Sequence, residues 1–345
     1  MISKNFILFV IFRNSITPLN RLMPVKTVDV FIKNNPSHHQ IINSLSPLFS
    51  AMEGDDIELY LEFDPQSSFI FPDHLLLISS AVNSTSKRGV NIKGSIFCKP
   101  ECEDYVSRMN FYDSVGIKVV ENFERQDPAG RFLEISQFKD DKESNDLVNS
   151  VVNILRAQQI TDDNILACLS FCLGELVGNV IEHSAPGEKL PLTMGGWIVA
   201  QYYPKKRSIR IMIADNGQGI HNALTSNPKD DKYKSYTPKM SIEDCVIKGV
   251  TNGAGCGNGL YATSNFLEKN GGELYIHSGN HALRWTERGK HVFPTHHWQG
   301  TIVFLQIKSN VSVDVKDILD GNIDFYDDYK EWFPNKPISE FDNLW

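Results

Sequence analysis

Three polar side chains recur every four residues in the otherwise apolar segment "GELVGNVIEH" (174–183): Glu175, Asn179 and His183. Because residues four apart lie on the same face of an α-helix, the segment predicts a helix with one polar stripe and apolar remaining faces. A carboxylate can act as a general base, and an amide oxygen is a ligand for hard cations such as Mg²⁺. A solvent-exposed polar face is the simpler explanation for any one of these residues, including the neighbouring Glu182.

The segment "DNGQGI" (215–220) follows the apolar, strand-like "IRIMIA". Its alternating glycines, Gly217 and Gly219, allow the main chain to pass close to a flat ligand. Asp215 is placed to accept a hydrogen bond from an exocyclic amine. Asp-Asn-Gly is also typical of an ordinary turn after a strand.

The glycine-rich segment "GAGCGNGLY" (253–261) precedes another predicted helix. Its glycines leave backbone N–H groups accessible at a helix N-terminus, an arrangement that favours phosphate. The segment lacks the Gly-Lys-Ser/Thr of a Walker loop, and no strand leads directly into it as a dinucleotide-binding fingerprint requires. It is weak evidence by itself, as is Gly300-Thr301 at the start of the last predicted strand.

The elements that must position these residues form two predicted α/β units. The first unit spans 27–122, after an extension over 1–26, and contains a strand, a helix, a strand and a helix at 57–63, 71–89, 90–97 and 101–117. Residues 123–146 are predicted to be a linker, because "KDDKESND" (139–146) has many charges and few apolar residues.

The second predicted unit spans 147–309. Its helices are expected at 147–158, from an N-cap at Thr161 to 183, at 241–249 and at 259–272. Its strands are expected at 195–203, 208–215, 273–279 and 300–307, with the first two forming an antiparallel pair. The sequence therefore predicts an α+β or α/β protein, with an acidic, aromatic tail over 310–345 that lies on the surface or docks a partner.

Composition is that of a soluble globular protein: of 345 residues, 41% are hydrophobic and 22% charged. The formal net charge of −8 argues against nucleic acid or an anionic membrane as the main partner. "FILFVIF" (6–12) is too short to span a bilayer, and no later apolar run is judged long enough.

Six cysteines without a C-x-x-C pair favour reduced thiols and a cytoplasmic location. Cys98 and Cys102, with His291, His296 and His297, are a weak alternative as metal ligands, because their spacing matches no zinc site.

In order and spacing, the motif segments resemble the GHKL ATPase superfamily, which includes gyrase, Hsp90, MutL, histidine kinases and the bacterial anti-sigma-factor kinases. "ELVGNVIEH" is similar to its N box, "DNGQGI" to its G1 box and "GCGNGLY" to its G2 box. The resemblance covers about 147–309 and implies a Bergerat-type, two-layer α/β sandwich that binds ATP and Mg²⁺. Asn258 departs from the commonest kinase pattern, in which leucine often precedes the last glycine.

The resemblance assigns a role to each matching residue. Asn179 would hold Mg²⁺, His183 would contact nucleotide or metal, and Glu175 would be the general base. Asp215 would bind the adenine amino group, with Thr301 nearby.

The remaining matches surround the base and the phosphates. Gly217, Gly219 and Ile220 of the G1 box would lie by the base. Gly255, Gly257, Gly259 and Leu260 would surround the phosphates. Residues 221–254 would form a mobile lid.

The first unit resembles, more weakly, a STAS domain, the fold of anti-anti-sigma factors. The likeness covers about 55–118 and rests on element order and on "MNFYDSVGI". It departs where that family carries a phosphorylatable Ser or Thr after an Asp, because here His74 follows Asp73.

These resemblances imply an ATP- and Mg²⁺-binding regulatory protein whose nucleotide state alters a protein-binding surface. Its activity would be ATP hydrolysis or serine/threonine phosphorylation, its partner a regulatory protein, and a homodimer is an allowed assembly. The alternatives are a non-catalytic nucleotide-binding module and a sensor histidine kinase. The kinase alternative needs a phosphoacceptor histidine on a dimerisation helix before the N box. It is disfavoured because none of His38, His39 and His74 is expected in a suitable helix next to the ATPase unit.

Overall fold

The computed structural model describes residues 10–11, 25–32, 36–64, 69–160, 162–183, 195–226, 230–252 and 257–318. The elements before residue 120 are β1 Val10–Ile11, β2 Lys26–Ile32, α1 His38–Phe49, β3 Asp56–Phe63, α2 Pro72–Lys87, β4 Asn91–Phe97, α3 Pro100–Arg108 and α4 Phe111–Ser114. The elements after it are β5 Phe132–Phe138, α5 Asp141–Ala157, α6 Asp163–His183, β6 Gly196–Tyr203, β7 Ser208–Asp215, α7 Gly219–Ser226, α8 Pro238–Asp244, α9 Gly259–Asn270, β8 Glu273–Thr286, β9 Gly289–Lys308 and α10 Val315–Ile318.

The protein is a mixed α+β structure with two sheets, as the element pattern predicts. The first sheet has the order β1-β4-β3-β2, in which β2, β3 and β4 are parallel and β1 is antiparallel to β4. The second sheet has the order β5-β6-β7-β9-β8 and is antiparallel throughout.

The five-stranded sheet is buried on both faces. Successive side chains of a strand point to opposite faces, and on β7 Ile211 and Ile213 join the apolar cluster of α5, α6 and α9. Met212 and Ala214, on the opposite face, join the cluster that contains α1, α2 and the parallel sheet. The layers are therefore the parallel sheet, helices α1 and α2, the five-stranded sheet, and helices α5, α6 and α9.

The prediction of a linker over 123–146 is wrong from residue 132 onward. Residues 132–138 form the edge strand β5, which pairs with β6. The charges that suggested a linker instead start α5: the Glu143 N–H donates to Asp140 Oδ1 (2.9 Å), and the Lys139 N–H donates to Glu143 Oε2 (2.8 Å). This reciprocal arrangement satisfies free N–H groups at a helix start.

Other elements also differ from the sequence prediction. Helix 101–117 is interrupted at Asn110, whose φ is 60°. Helix 241–249 begins earlier, at Pro238, with Thr237 Oγ1 accepting from the Met240 N–H. Strands β8 and β9 extend well beyond 279 and before 300 as one long hairpin. Helix α1 has no counterpart in the prediction.

Helix α6 is long and apolar enough to cross a bilayer by length and composition, contrary to the expectation from the sequence. Some 67% of its apolar window is buried within the protein, so it is described here as a core helix. The expected N-cap Thr161 lies outside the described residues, as do most of the extension and residues 319–345 of the tail. Asp162 Oδ1 accepts from the Ile165 N–H at this helix start (3.1 Å).

Candidate functional site

Asp215 is a buried carboxylate, 7% exposed, at the end of β7. The Gly217 N–H donates to its Oδ1 (2.8 Å), and the backbone N–H and hydroxyl of Thr301 also donate to the carboxylate. Burial raises the pKa of Asp215 to about 6, although these hydrogen bonds act in the opposite direction. At neutral pH the carboxylate is therefore mostly ionised, and it is paired only with neutral donors among the described residues.

Ser278 connects the turn after Asp215 to β9. Its hydroxyl accepts from the Ile220 N–H (2.9 Å) and donates to the Gly300 carbonyl (2.8 Å). Gly219 and Gly300 have φ values of +77° and +94°, and a Cβ on Gly300 would lie 2.6 Å from Asp215 Oδ1. Both positions therefore require glycine for backbone conformation and for close packing.

An irregular hairpin register beside Gly300 is held by His277. The pairing of β8 with β9 shifts at Gly279. Burial lowers the pKa of His277 to about 4, so the ring is neutral. Its Nε2–H donates to the carbonyls of His296 (3.0 Å) and Gly279 (3.2 Å), and Nδ1 accepts from the Tyr275 hydroxyl (2.9 Å).

The structure places Glu175 against the first residue of α9. A Cβ on Gly259 would clash with the Glu175 carboxylate and lie 2.8 Å from Glu175 Cβ. This contact brings the polar stripe of α6 to the helix N-terminus that follows the glycine-rich segment. A carboxylate is stabilised at such a place by the N–H groups and the helix dipole.

Asn179 and His183 lie on the following turns of α6, and both are half-buried. Among the described residues, the Asn179 side chain makes no hydrogen bond. Burial lowers the pKa of His183 more than the nearby Glu182 raises it. Glu182 is more exposed, with 48% of its side chain accessible.

The end of α6 runs beside the end of β7. A Cβ on Gly196 would lie 2.7 Å from Val180 Cγ1, and Gly196 is the register partner of Asp215. The polar stripe and the Asp215 turn therefore lie at the same end of the five-stranded sheet.

The glycine-rich segment is only partly described, and Gly255 lies outside the described residues. Gly257 closes its loop by accepting a hydrogen bond from the Gly249 N–H (3.1 Å). Leu260 and Ile220 are half-buried and pack against the apolar cluster of α6 and α9. In the region predicted as a lid, Ile242 of α8 is buried in that same cluster.

A second buried aspartate, Asp73, lies between the two units, at the start of α2. Arg210 of β7 donates to both its oxygens, from Nε to Oδ1 (3.2 Å) and from Nη2 to Oδ2 (2.7 Å), and the His38 Nε2–H donates to Oδ2 (2.6 Å). Burial alone would raise the pKa of Asp73, but Arg210 and His38 hold it well below its usual range. The Arg210 guanidinium also lies over the rings of Phe71 and Phe304, 4.3 and 4.7 Å from their centroids.

His38, Asp73 and His74 are the one group among the described residues whose ligand atoms lie close enough together to hold a metal ion. Arg210 already occupies both oxygens of Asp73, and a cation beside the guanidinium would be repelled. The group is therefore better described as a closed ion-pair network. The cysteine and histidine set centred on Cys98 and Cys102 forms no such group within the described residues.

Two of the early histidines, His38 and His39, lie in α1, a helix that the sequence does not predict, and His39 is exposed. His38 begins α1, and its ring lies 4.5 Å from that of Phe304 on β9. His74 lies in α2, also against this sheet. Both rings are buried next to Asp73, so neither is presented for phosphorylation.

Sequence reasoning missed the residues that hold Asp215 in place, including Ser278 and Trp298. No local pattern marks them, because they act through pairing across the sheet. Arg210 was detectable, since a lone charge in the apolar "SIRIMIAD" indicates a buried partner. Searches against protein-family models, curated proteins and solved structures found no significant match to this chain.

Proposed function

We propose that this protein binds ATP with Mg²⁺ at the end of the five-stranded sheet, as a GHKL-like regulatory protein of the cytoplasm. The observation that carries the proposal is the convergence of separately predicted segments. Asp215, Thr301 and the Gly217–Gly219 turn meet at the sheet end beside α6, and Glu175 of α6 meets Gly259 of α9.

The chemistry of these groups supports the assignment. An ionised, buried Asp215 accepts a hydrogen bond from an amine, which suits the amino group of adenine. The half-buried amide of Asn179 provides an oxygen ligand for Mg²⁺. The N–H groups at the start of α9 suit a phosphate. A phosphate there would compete with the Glu175 carboxylate for the positive end of the α9 dipole.

The activity proposed is hydrolysis of ATP, or transfer of its γ-phosphoryl group to a serine or threonine hydroxyl of a regulatory protein partner with release of ADP. Glu175 would be the base that accepts the proton of the water or hydroxyl. The position of Glu175 also supports a second candidate, a non-catalytic nucleotide-binding module. In that case its carboxylate would only stabilise the start of α9.

Binding is tested with the full chain, Mg²⁺ and ATP by calorimetry. Asn179→Ala is expected to weaken Mg²⁺-dependent binding at least tenfold, because it removes the metal ligand. Glu182→Gln, an exposed change on the same helix, is the matched control and should leave affinity within about twofold. Absence of ATP binding by the unchanged protein would reject the proposal.

Catalysis is tested with γ-labelled ATP, following both phosphate release and label on protein. Glu175→Gln should retain ATP binding and lose at least 100-fold in turnover, since the amide cannot take a proton. Equal turnover by Glu175→Gln and the unchanged protein would favour the non-catalytic module.

A further inference from the structure

The back of the Asp215 turn is held by the unit that precedes residue 120. Asn216, 4% exposed, accepts at Oδ1 a hydrogen bond from the hydroxyl of Ser80 (2.9 Å), a fully buried residue of α2. The bond joins residues 136 positions apart in the chain. It places a side chain of α2 one residue from the carboxylate proposed to bind adenine.

Asn216 also bonds the part of β9 that precedes Thr301. Its Nδ2 donates to the Gln299 carbonyl (3.4 Å), and Gln299 Nε2 donates in turn to the Gly217 carbonyl. Gly217 donates its N–H to Asp215 Oδ1. A shift of Ser80 would therefore act on both sides of Asp215.

A second contact reaches the same turn from α1. Trp298 is fully buried, and its indole Nε1–H donates to the Asp215 carbonyl (3.2 Å). Its ring meets that of Phe49, the last residue of α1, with centroids 4.9 Å apart. Two helices of the first unit thus contact Asn216, which follows Asp215 in the chain, and Trp298, which bonds the Asp215 carbonyl.

We propose that Ser80 is a positioning residue for Asp215, and that through it the first unit controls in cis how strictly the site selects adenine. This inference rests on the proposed function. Because packed interfaces transmit discrete shifts of neighbouring groups, a change in the docking of α2 moves Asp215 relative to the base. Reciprocally, nucleotide binding stabilises the docked position of α2.

The test compares the affinities of the full chain for ATP and for inosine triphosphate, in which a carbonyl replaces the amino group. The unchanged protein should prefer ATP by on the order of 100-fold, because a carbonyl would face the Asp215 carboxylate. Ser80→Ala should reduce this preference by about five- to tenfold.

Ser79→Ala is the matched control, since Ser79 is also fully buried but bonds within its own unit, to Leu75 and Ser114. It should leave the preference within about twofold of the unchanged protein. Ser80→Cys keeps only a weak S–H donor and should lose an intermediate part of the preference, about two- to threefold, which allows the test if Ser80→Ala is too unstable. An unchanged preference in Ser80→Ala, or equal losses in Ser79→Ala and Ser80→Ala, would overturn the inference.

Hydrogen exchange separates failure of this inference from failure of the proposed function. The amides of Gly217 and Ile220 should exchange faster in Ser80→Ala than in Ser79→Ala without nucleotide, because the turn loses its support. If the unchanged protein binds no nucleotide, the proposed function fails and the selectivity claim with it. Exchange at these two amides then decides whether Ser80 positions the turn, and equal rates would reject that as well.

Discussion

Two buried aspartates contact β7, and they differ in the charge of their partners. Asp73 is bound by the guanidinium of Arg210 and by His38, and its pKa lies well below the usual range. Asp215, the last residue of the strand, receives hydrogen bonds only from neutral groups among the described residues, and burial raises its pKa to about 6. The charge of Asp73 is neutralised by Arg210, whereas the charge of Asp215 at neutral pH has no counter-ion among the described residues.

This difference separates a structural carboxylate from one suited to a ligand. An ion pair between two layers stabilises their docking and leaves Asp73 no capacity for another partner. A buried charge without a counter-ion has a free-energy cost, and the cost persists here at the same end of the sheet as the α6 stripe. Carboxylates with a pKa raised by burial are common at functional sites. For this reason we favour Asp215 over Asp73 as the centre of a binding site.

The largest expected effect is on the free energy of unfolding, when the ion pair between Asp73 and Arg210 is broken. Asp73→Asn leaves Arg210 charged and buried without a counter-ion and should lower the free energy of unfolding by about 3–5 kcal/mol. Denaturant titration at pH 7 measures this. The double variant Asp73→Asn/Arg210→Met should recover part of the loss, because no unpaired charge remains, and a strictly additive double variant would contradict this account.

A smaller effect is expected from the pH dependence of the unpaired carboxylate. Because the folded pKa of Asp215, about 6, exceeds the unfolded value of 3.8, the folded state binds the proton more tightly. Its stabilising contribution is complete below pH 3.8 and is lost as the pH rises through about 6. The total loss is up to about 3 kcal/mol.

Asp215→Asn removes this dependence. The unfolding free energy of the variant minus that of the unchanged protein should therefore rise between pH 4 and about 6 and then level off. The corresponding difference for Asp73→Asn should stay nearly constant in that range, because Asp73 is ionised there in both states. Parallel pH profiles for the two variants would remove the distinction between the two aspartates.

The smallest expected effect is on the pKa of Asp215, and it tests the role of the neutral hydrogen-bond donors. Thr301→Val removes a hydroxyl that favours the charged form of Asp215 and should raise its pKa further, by roughly half to one unit. Carboxyl carbon chemical shifts followed against pH measure the midpoint. Thr295→Val, on the same strand and with a buried hydroxyl that has no hydrogen-bond partner among the described residues, should leave the pKa of Asp215 unchanged.

The amino-acid sequence predicts much of the secondary structure because period and caps are local properties. The strands at 57–63 and 208–215 and the helix ending at His183 are confirmed within a residue or so. The charges around Asp140 were assigned to a linker because composition does not distinguish a solvated loop from a helix cap. The edge strand β5 and the long β8–β9 hairpin depend on pairing partners far along the chain, which a local pattern does not contain.

The same limit applies to the candidate site. The grouping of Asp215 with Gly217 is local, and its proximity to Thr301 was expected only through family resemblance. The contacts of Ser80 with Asn216 and of Phe49 with Trp298 depend on how the first unit packs on the five-stranded sheet. No local sequence pattern predicts that packing. The segment "SIRIMIAD" is predicted as a strand, and its apolar residues on both faces are the signal for a sheet that is covered on both sides.

A sheet covered twice also has a consequence for the integrity of the molecule. Trp197, Met212, Tyr275 and Phe304 face the first unit and lose solvent only through it. A fragment that began after residue 122 would present this face to water as a continuous apolar surface, which promotes aggregation. We therefore expect the two units to unfold together, and a chain divided at residue 122 to lose the burial of this face.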